Sequence, residues 1–361
     1  MTRGLKDDLQ IRTLARDLGL DVKDDPVAAI LAYCAKWLQA LLREFKCNSL
    51  SELLEFAADR LGTVFREVRT DQELAEIKNY FLRRGEKEFA LIDHELRAGV
   101  FAITFRLLTP RKGERRFISI IDCRGDKLFR SYYSKWHELA HLLTLTDQGR
   151  LKFCRTHSAL VKKDPEEALM EKIAGHIGYL PDLVHRHARG AISFEKIDTI
   201  RATLCPESSV YASVIGMTRN WPNPCVLLEA TLEYKKRERD KLNQPGFSFV
   251  PTPQPKLRIT GITPSVGAED FASQLHPNMR VPKRSIIYRV FNENFLPSEC
   301  VQEDLNWWET TSHGYLRAKP YIVYARKQGD KVQALLIPLN LTSLGRQPQS
   351  RTNSVNAVSS I

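Results

Sequence analysis

The sequence predicts an α+β fold in which helices and strands occupy separate stretches of the chain. Apolar residues recur at helical spacing through residues 5–60, whereas runs rich in β-branched and aromatic residues gather in residues 100–123 and 257–337. A proline-rich segment at residues 244–255 separates these two strand-containing parts. Clustered strands of this kind are typical of α+β proteins. At 361 residues the chain is too long for one ordinary core, so we expect several domains.

The first predicted domain, residues 1–60, is a layer of helices. Asp24 and Asp25 stand before Pro26, an arrangement that favours the start of a helix. This helix carries a strong apolar stripe, made of Ile30, Leu31, Trp37, Leu38, Leu41 and Leu42. A further helix is predicted over residues 52–60.

The second predicted domain, residues 61–190, begins with strands and continues with helices. Its predicted strands are Thr63–Val68, Val100–Leu108 and Phe117–Cys123, and its predicted helices are Asp71–Phe81, Ser134–Leu145 and Asp164–Tyr179. A turn around Pro110 and Gly113 joins two of the strands into a hairpin.

The rest of the chain divides into a helical region, a second α+β domain and a tail. Residues 191–245 predict two short helices over 193–219 and a charged helix over 229–242. Residues 246–342 predict a small α+β domain, and the polar tail 343–361 has the composition of a disordered segment. The predicted strands of this domain are Leu257–Ile262, Ser285–Phe291, Tyr321–Ala325 and Val332–Ile337.

Composition and charge narrow the classes of protein and partner. The net charge of +11 favours acidic partners, nucleic acid first among them. Seven cysteines without a Cys-x-x-Cys pair do not form the pattern of a disulfide framework or a zinc ribbon, and they fit a reducing compartment. The chain has no long apolar run and no apolar leader, so we expect a cytoplasmic protein that does not contact membranes.

One motif carries a specific chemical signal. His137-Glu-Leu-Ala-His141 has the HExxH pattern, in which two histidines four residues apart lie on the same face of a helix. Both imidazoles can then bind one zinc ion, and Glu138 stands beside them as a general base for an attacking water. The sequence therefore predicts a zinc site with His137 and His141 as ligands and Glu138 as the catalytic residue.

A zinc site of this kind needs a third protein ligand. No histidine follows at the HExxHxxGxxH spacing, so a glutamate from the next helix is expected, and Glu166, Glu167 and Glu171 are the candidates. The first two fit the acidic first turn of a solvated helix. We favour Glu171, because small residues follow it along the same stripe and would let the helix pack closely.

The strand, loop and helix of residues 117–143 resemble the ImmA/IrrE family of zinc metallopeptidases. The second motif of that family, a Glu-x-x-Ala helix that ends in Leu-x-Pro, resembles Glu171-Lys-Ile-Ala174 followed by Leu180-Pro181. This resemblance covers roughly residues 60–190. It implies a zincin-like core over residues 61–190, with Zn²⁺ as the cofactor.

The resemblance also implies partners and accessory domains. Members of this family are regulatory endopeptidases that cut a helix-turn-helix repressor and so switch on stress-response or anti-phage defence operons. Several members carry a helix-turn-helix-like middle and a GAF-like sensor domain, and residues 191–245 and 246–342 are similar in order and size. Single-stranded DNA is one expected activator because of the basic charge, and a homodimer is left open.

The sequence also offers candidates for an inhibitory zinc ligand and for an oxyanion-stabilising residue. Cys123 ends the strand before the HExxH helix, and as a thiolate it could hold the open position of the zinc and inhibit the enzyme. The alternative is a small buried apolar side chain, the commonest state of a free cysteine. An oxyanion-stabilising residue is also expected, and the candidates are Tyr132, Tyr133, His157 and His176.

The main competing hypothesis is a DNA-binding transcription regulator with a structural or vestigial zinc site. Ser208–Arg219 would be its base-contacting helix, but this segment is largely apolar and lacks the basic and amide residues that contact base edges. A metal-stabilised interaction protein without catalysis is a third hypothesis. The intact Glu138 favours the peptidase over both.

Overall fold

The protein is mixed α+β, as its sequence predicts, and forms two compact units. A computed structural model describes residues 5–20, 25–97, 99–146, 152–156, 164–235, 238–240, 253–292, 300–310 and 314–339. The N-terminal unit comprises Met1–Leu227 with Thr263–Glu269, and the C-terminal unit comprises Leu228–Ile262 with Asp270–Ile361. The N-terminal unit therefore contains the predicted domains 1–60 and 61–190 and most of the predicted helical region 191–245.

The N-terminal unit begins with helices and then alternates strands with helices. Its helices are α1 (Leu9–Asp17), α2 (Pro26–Phe45), α3 (Leu50–Arg60), α4 (Asp71–Arg83), α5 (Ile92–Glu95), α6 (Ser131–Leu143), α7 (Pro165–Ile177), α8 (Pro181–His187), α9 (Phe194–Leu204) and α10 (Val210–Arg219). Its strands are β1 (Thr63–Val68), β2 (Val100–Arg106), β3 (Phe117–Asp122) and β4 (Lys152–Thr156).

Side-chain caps explain where several of these helices begin. The Asp25 carboxylate accepts hydrogen bonds from the backbone N–H groups of Val27 and Ala28, with Pro26 as the first helical residue. Thr70 and Glu73 form a reciprocal capping box at the start of α4. These are signals that the sequence carries locally, which is why the predicted starts of α2 and α4 agree with the structure.

The four strands form one sheet in the order β1-β3-β2-β4. Strand β3 runs parallel to β1 and antiparallel to β2, and β2 is also antiparallel to β4. One face of the sheet contributes to an apolar core that includes Ile103, Phe105 and Ile120 and is covered by α4 and Phe89. The opposite face carries three buried hydroxyl residues and packs against α6.

The C-terminal unit is built on a second sheet, in the order β6-β5-β9-β8-β7. These strands are β5 (Val226–Glu233), β6 (Lys256–Pro264), β7 (Val301–Asp304), β8 (Pro320–Gln328) and β9 (Lys331–Pro338), and the helices are α11 (Glu269–Ala272) and α12 (Ile286–Asn292). Strands β8 and β9 form a hairpin, in which Gly329 takes the positive φ that its turn requires.

Two predicted elements of this region are wrong. Residues 229–233, predicted as the start of the charged helix 229–242, belong instead to strand β5. This strand begins with the buried residues Val226, Leu227 and Leu228, and Ala230 is buried as well. Residues 286–292 form helix α12 and not a strand. Here Ile286, Ile287 and Val290 bury one helical face, which outweighs the strand preference of their branched side chains.

Some predictions concern parts of the chain that lie outside the described residues. The tail 343–361, most of the proline-rich segment 244–255 and His157 belong to this group. Within the described residues, no helix combines the length and the apolar character that crossing a lipid bilayer requires.

Candidate metal centre

Helix α6 carries the HExxH residues in the interior of the N-terminal unit. His137, Glu138 and His141 are all buried, as are the apolar residues between and after them. Buried ionisable groups are costly unless they are paired or bind a metal. The burial of all three in one helix therefore points to a functional site.

The start of α6 is held by a buried carboxylate at the end of β3. Asp122 accepts hydrogen bonds from Arg124 and Lys127, which lie in the connection to α6. Arg124 and Lys127 also donate to backbone carbonyls of Leu96 and Val100. Burial acts to raise the pKa of Asp122, but these hydrogen bonds outweigh it and hold the pKa below its ordinary value.

Two tyrosines at the start of α6 set its register against α7. The Tyr132 hydroxyl donates to the carbonyl of Gly178, and the Tyr133 hydroxyl donates to the carbonyl of Glu171, each at 2.6 Å. At the C-terminal end of α6, the capping residue Thr144 contacts Met170 of α7. Residues later in α6 thus contact residues earlier in α7, so the two helices are antiparallel.

This register places Glu167 at the level of the two histidines. Tyr133 contacts the backbone of Glu171. Because the helices are antiparallel, His137, one turn after Tyr133, lies beside Glu167, one turn before Glu171. The Glu167 carboxylate stands 3.2 Å from Nε2 of His141 and 3.6 Å from Nε2 of His137. Among the residues that the structure describes, His137, His141 and Glu167 form the group whose ligand atoms lie close enough to share one ion.

The structure therefore differs from our prediction that Glu171 is the third ligand. Glu171 lies one helical turn beyond the histidines, at the level of Tyr133. A metal-binding Glu171 would require the two helices to approach most closely at the small residues that follow it. Gly178 does pack against Trp136, but the tyrosine hydrogen bonds shift the histidines to the level of Glu167.

The geometry of these three residues fits a zinc ion. Two ligand atoms held about 2.0–2.1 Å from one tetrahedral ion stand roughly 3.3 Å apart. Nε2 of His141 lies 3.2 Å from Oε1 of Glu167 and Nε2 of His137 lies 3.6 Å from Oε2, so each histidine is near this spacing from one oxygen of the carboxylate. Two imidazoles and one carboxylate are also a donor set typical of catalytic zinc. The Glu167 side chain is only 13% exposed, and its buried Oε2 atom makes no hydrogen bond within the described part of the chain.

The second nitrogen of each histidine faces a carboxylate. Nδ1 of His141 lies 3.8 Å from Glu166, and Nδ1 of His137 lies 3.7 Å from Glu138. Ligating histidines commonly present their second nitrogen to a carboxylate, which orients the ring. Glu166, a candidate third ligand that also fits the acidic first turn of a solvated helix, is therefore positioned to orient His141.

A chain of buried hydroxyl groups leads to Glu138 from the sheet. The Thr104 hydroxyl donates to Oε2 of Glu138 at 2.6 Å. The Ser119 hydroxyl lies 2.7 Å from the Thr104 hydroxyl and 2.9 Å from the Thr63 hydroxyl. Since each hydroxyl has one proton, this arrangement has Thr63 donating to Ser119, Ser119 to Thr104 and Thr104 to Glu138. Such a chain polarises its last hydrogen bond and orients the carboxylate.

Sequence analysis did not identify these three hydroxyl residues. Thr104 and Ser119 are paired across β2 and β3, and Thr63 begins the neighbouring β1. A polar residue on the inward face of an otherwise apolar strand is a weak signal, and Thr104 and Ser119 both show it. Their link to Glu138 appears only when the strands and α6 are assembled.

Cys123 does not join the candidate metal ligands. It directly follows strand β3, which lies between β1 and β2 in the interior of the sheet. The side chain is buried with Ala102 and Ile121. Burial raises the pKa of the Cys123 thiol to about 11, with Glu67 adding to the effect, as is typical of a buried free cysteine.

The candidates for oxyanion stabilisation occupy different environments. The Tyr132 and Tyr133 hydroxyls donate to backbone carbonyls of α7, which gives both a structural task. His176 is near the end of α7, where burial, with Arg219 adding to it, holds its pKa below the ordinary value. His157 lies outside the described residues.

Comparisons with known proteins add little to this picture. No protein-family model matches the chain, and no curated protein matches it. Among solved structures, the chain is similar to a Mycobacterium tuberculosis transcriptional regulator at 9% sequence identity and a TM-score of 0.39, over 92% of this chain and 81% of that one. A likeness this distant establishes neither a shared fold nor a shared function.

Proposed function

We propose that this protein is a zinc-dependent endopeptidase whose metal ligands are His137, His141 and Glu167. The observation that carries the proposal is the meeting of two imidazole nitrogens and one carboxylate at distances suited to one tetrahedral ion, beside the buried Glu138. Neither histidine spacing nor burial alone would support hydrolysis. The combination of three ligands and an adjacent base is typical of single-zinc peptidases.

The residues around the site have separate tasks in this mechanism. When bound, zinc would supply Lewis-acid polarisation of a peptide carbonyl. Glu138 takes a proton from the attacking water and then delivers it to the leaving amine. Thr104 holds one oxygen of that carboxylate, and Glu166 orients His141. A buried setting strengthens each of these interactions because little water competes for the same groups.

The finer assignments of fold and partners form part of the same proposal. The four-stranded sheet and the antiparallel pair α6 and α7 support a zincin-like core, and the C-terminal unit would be the GAF-like sensor. Following the resemblance to ImmA/IrrE peptidases, the substrate would be a helix-turn-helix repressor, and cleavage would switch on a stress or defence operon. Single-stranded DNA remains the expected class of activator because of the basic charge.

The alternative of a DNA-binding regulator is less well supported by the helices that would contact DNA. In the pair α9 and α10, the second helix is largely buried, and its clearly exposed side chains are Tyr211 and Arg219. A helix that reads base edges must present several polar side chains to the major groove. We therefore assign this pair a structural role.

The first experiment measures the zinc content of the purified chain and of two matched variants by elemental analysis. We expect one zinc ion per chain in the wild type, loss of that ion in Glu167→Gln and retention in Glu171→Gln. Both substitutions remove one carboxylate from the same helix, so they control for charge and fold. A wild type that takes up no zinc, or a Glu167→Gln variant that keeps it, would contradict the proposed ligand set.

The second experiment separates catalysis from metal binding. We expect Glu138→Gln to keep its zinc and to lose cleavage of a proteome-derived peptide library by at least about a thousandfold, since the general base is gone. Cleaved peptides are identified by mass spectrometry. If the zinc-loaded wild type cuts neither this library nor intact helix-turn-helix proteins, the structural-zinc alternative becomes the better explanation.

A further inference from the structure

The C-terminal unit contains a basic and aromatic cavity that the proposed peptidase chemistry does not use. The cavity has a volume of about 800 Å³, within the range of small-molecule sites. One side is formed by the segment before α12, and the other by the segment after β7. The residues that give it its chemical character are Arg280, Lys283, Arg284, Asn306, Trp307 and Tyr315.

The charges of this cavity favour an anion. Three cationic side chains line it against one acidic side chain, Glu309. Lys283 and Arg284 are exposed, and within the described part of the chain neither Arg280 nor Lys283 forms an ion pair. Cationic groups that are not neutralised by neighbouring carboxylates are suited to phosphate oxygens.

The aromatic side chains favour a flat ring. The Arg284 guanidinium lies over the Trp307 ring, 4.4 Å from its centroid, and forms a layered surface. Tyr315 is 64% exposed and lines the same cavity. An exposed aromatic ring beside cationic groups is a feature of sites that stack a nucleobase and neutralise its phosphate.

Both sides of the cavity are fixed by a buried hydrogen-bond network. Glu303 accepts hydrogen bonds from the Ser285 hydroxyl, the Ile286 backbone N–H and the Tyr321 hydroxyl. Tyr321 in turn accepts one from the indole of Trp308. Since Ser285 adjoins Arg284 and Trp308 adjoins Trp307, the network holds the cationic and aromatic sides in place.

A second set of backbone contacts positions Tyr315. Tyr315 forms an isolated antiparallel bridge with Glu309, and the Leu316 N–H donates to the carbonyl of Trp308. These contacts keep Tyr315 on the same side as Trp307. A site whose side chains are held before the ligand arrives loses less entropy on binding.

We propose that this cavity binds a phosphorylated nucleoside, with the base against the aromatic surface and the phosphate on the cationic side chains. The unit it recognises can come from a free nucleotide or from a single strand of nucleic acid. This binding is independent of the proposed zinc site, so failure of one proposal leaves the other standing.

The test is calorimetric titration of the full chain at low salt with five probes: adenosine, pyrophosphate, ADP and two oligothymidylates, one of four and one of sixteen nucleotides. We expect ADP or an oligothymidylate to bind more tightly than adenosine or pyrophosphate alone. Tyr315→Leu should weaken that binding about tenfold, since it removes a stacking ring from an exposed position. The double variant Lys283→Gln/Arg284→Gln should weaken it at least as much.

The control is Arg239→Gln, which removes an exposed cation of the same unit that lies outside the cavity and should leave binding unchanged. Single-stranded nucleic acid is the ligand if the sixteen-nucleotide probe binds more tightly than ADP. In that case the double variant should reduce the slope of log affinity against log salt concentration by roughly 1.4. A free nucleotide is indicated when ADP binds most tightly. Absence of binding by every probe, equal binding of pyrophosphate and ADP, or equal weakening by Arg239→Gln would overturn the proposal.

Discussion

At the scale of single residues, the hydrogen bond from Thr104 orients Glu138, the proposed general base. Replacing Thr104 by Val keeps the shape and removes the hydroxyl that donates to the carboxylate. Hydrogen bonds to charged groups contribute about 1.5–3 kcal/mol, so we expect the cleavage rate to fall by at least about tenfold with zinc content unchanged. Thr203→Val, which removes an exposed hydroxyl of α9, is the matched control. Equal rates for both variants would show that Thr104 has no positioning role.

At the scale of elements, the packing of α10 against the end of α7 depends on one glycine. A Cβ atom at Gly216 would lie 2.0 Å from the buried ring of Tyr179, whereas one at Gly175 would meet mainly the flexible end of Arg219. We expect Gly216→Ala to lower the free energy of unfolding by about 2 kcal/mol despite its better helix propensity. Gly175→Ala should be neutral or stabilising. Urea unfolding of both variants measures the difference, and equal stabilities would contradict the proposed close approach.

The junction between α4 and the β2–β3 loop makes a pH-dependent contribution at the same scale. Arg84 and Glu114 form a paired hydrogen bond that lowers the pKa of Glu114 to about 2. A lowered folded-state pKa means that the pair stabilises the protein fully above about pH 4.5 and loses this effect as the pH falls to about 2. We expect Glu114→Gln to cost about 1–3 kcal/mol at pH 7 and progressively less in acid. Exposed Glu76→Gln is the control, and a cost that does not change with pH would refute the linkage.

At the scale of the whole molecule, the two compact units predict separate responses to ligands. The candidate metal ligands all belong to the N-terminal unit. Zinc at a hundredfold excess over its dissociation constant should stabilise that unit by about 2.7 kcal/mol. We expect calorimetry of the full chain to show one unfolding transition that zinc raises and one that it leaves unchanged, with no zinc effect in Glu167→Gln. An equal shift of all transitions would mean that the units unfold together.

The sequence by itself determined the α+β class, most helix and strand positions, and the three residues of the HExxH motif. His137, Glu138 and His141 are separated by at most four positions, so the geometry of one helix relates them without reference to the rest of the chain. The same holds for Asp25 and Thr70, whose capping contacts are local. The predictions of secondary structure were wrong where burial outweighed the local helix or strand preference, as in β5 and α12.

Only the tertiary structure distinguishes Glu167 from Glu171 as the candidate third ligand and shows which hydroxyl groups support Glu138. The choice between Glu167 and Glu171 depends on the register of two helices, which the Tyr133 hydroxyl sets across 38 positions. The chain from Thr63 to Glu138 joins three strands and a helix, and no single segment contains its pattern. Local periodicity cannot report such contacts, because they arise from the packing of elements that are distant in the sequence.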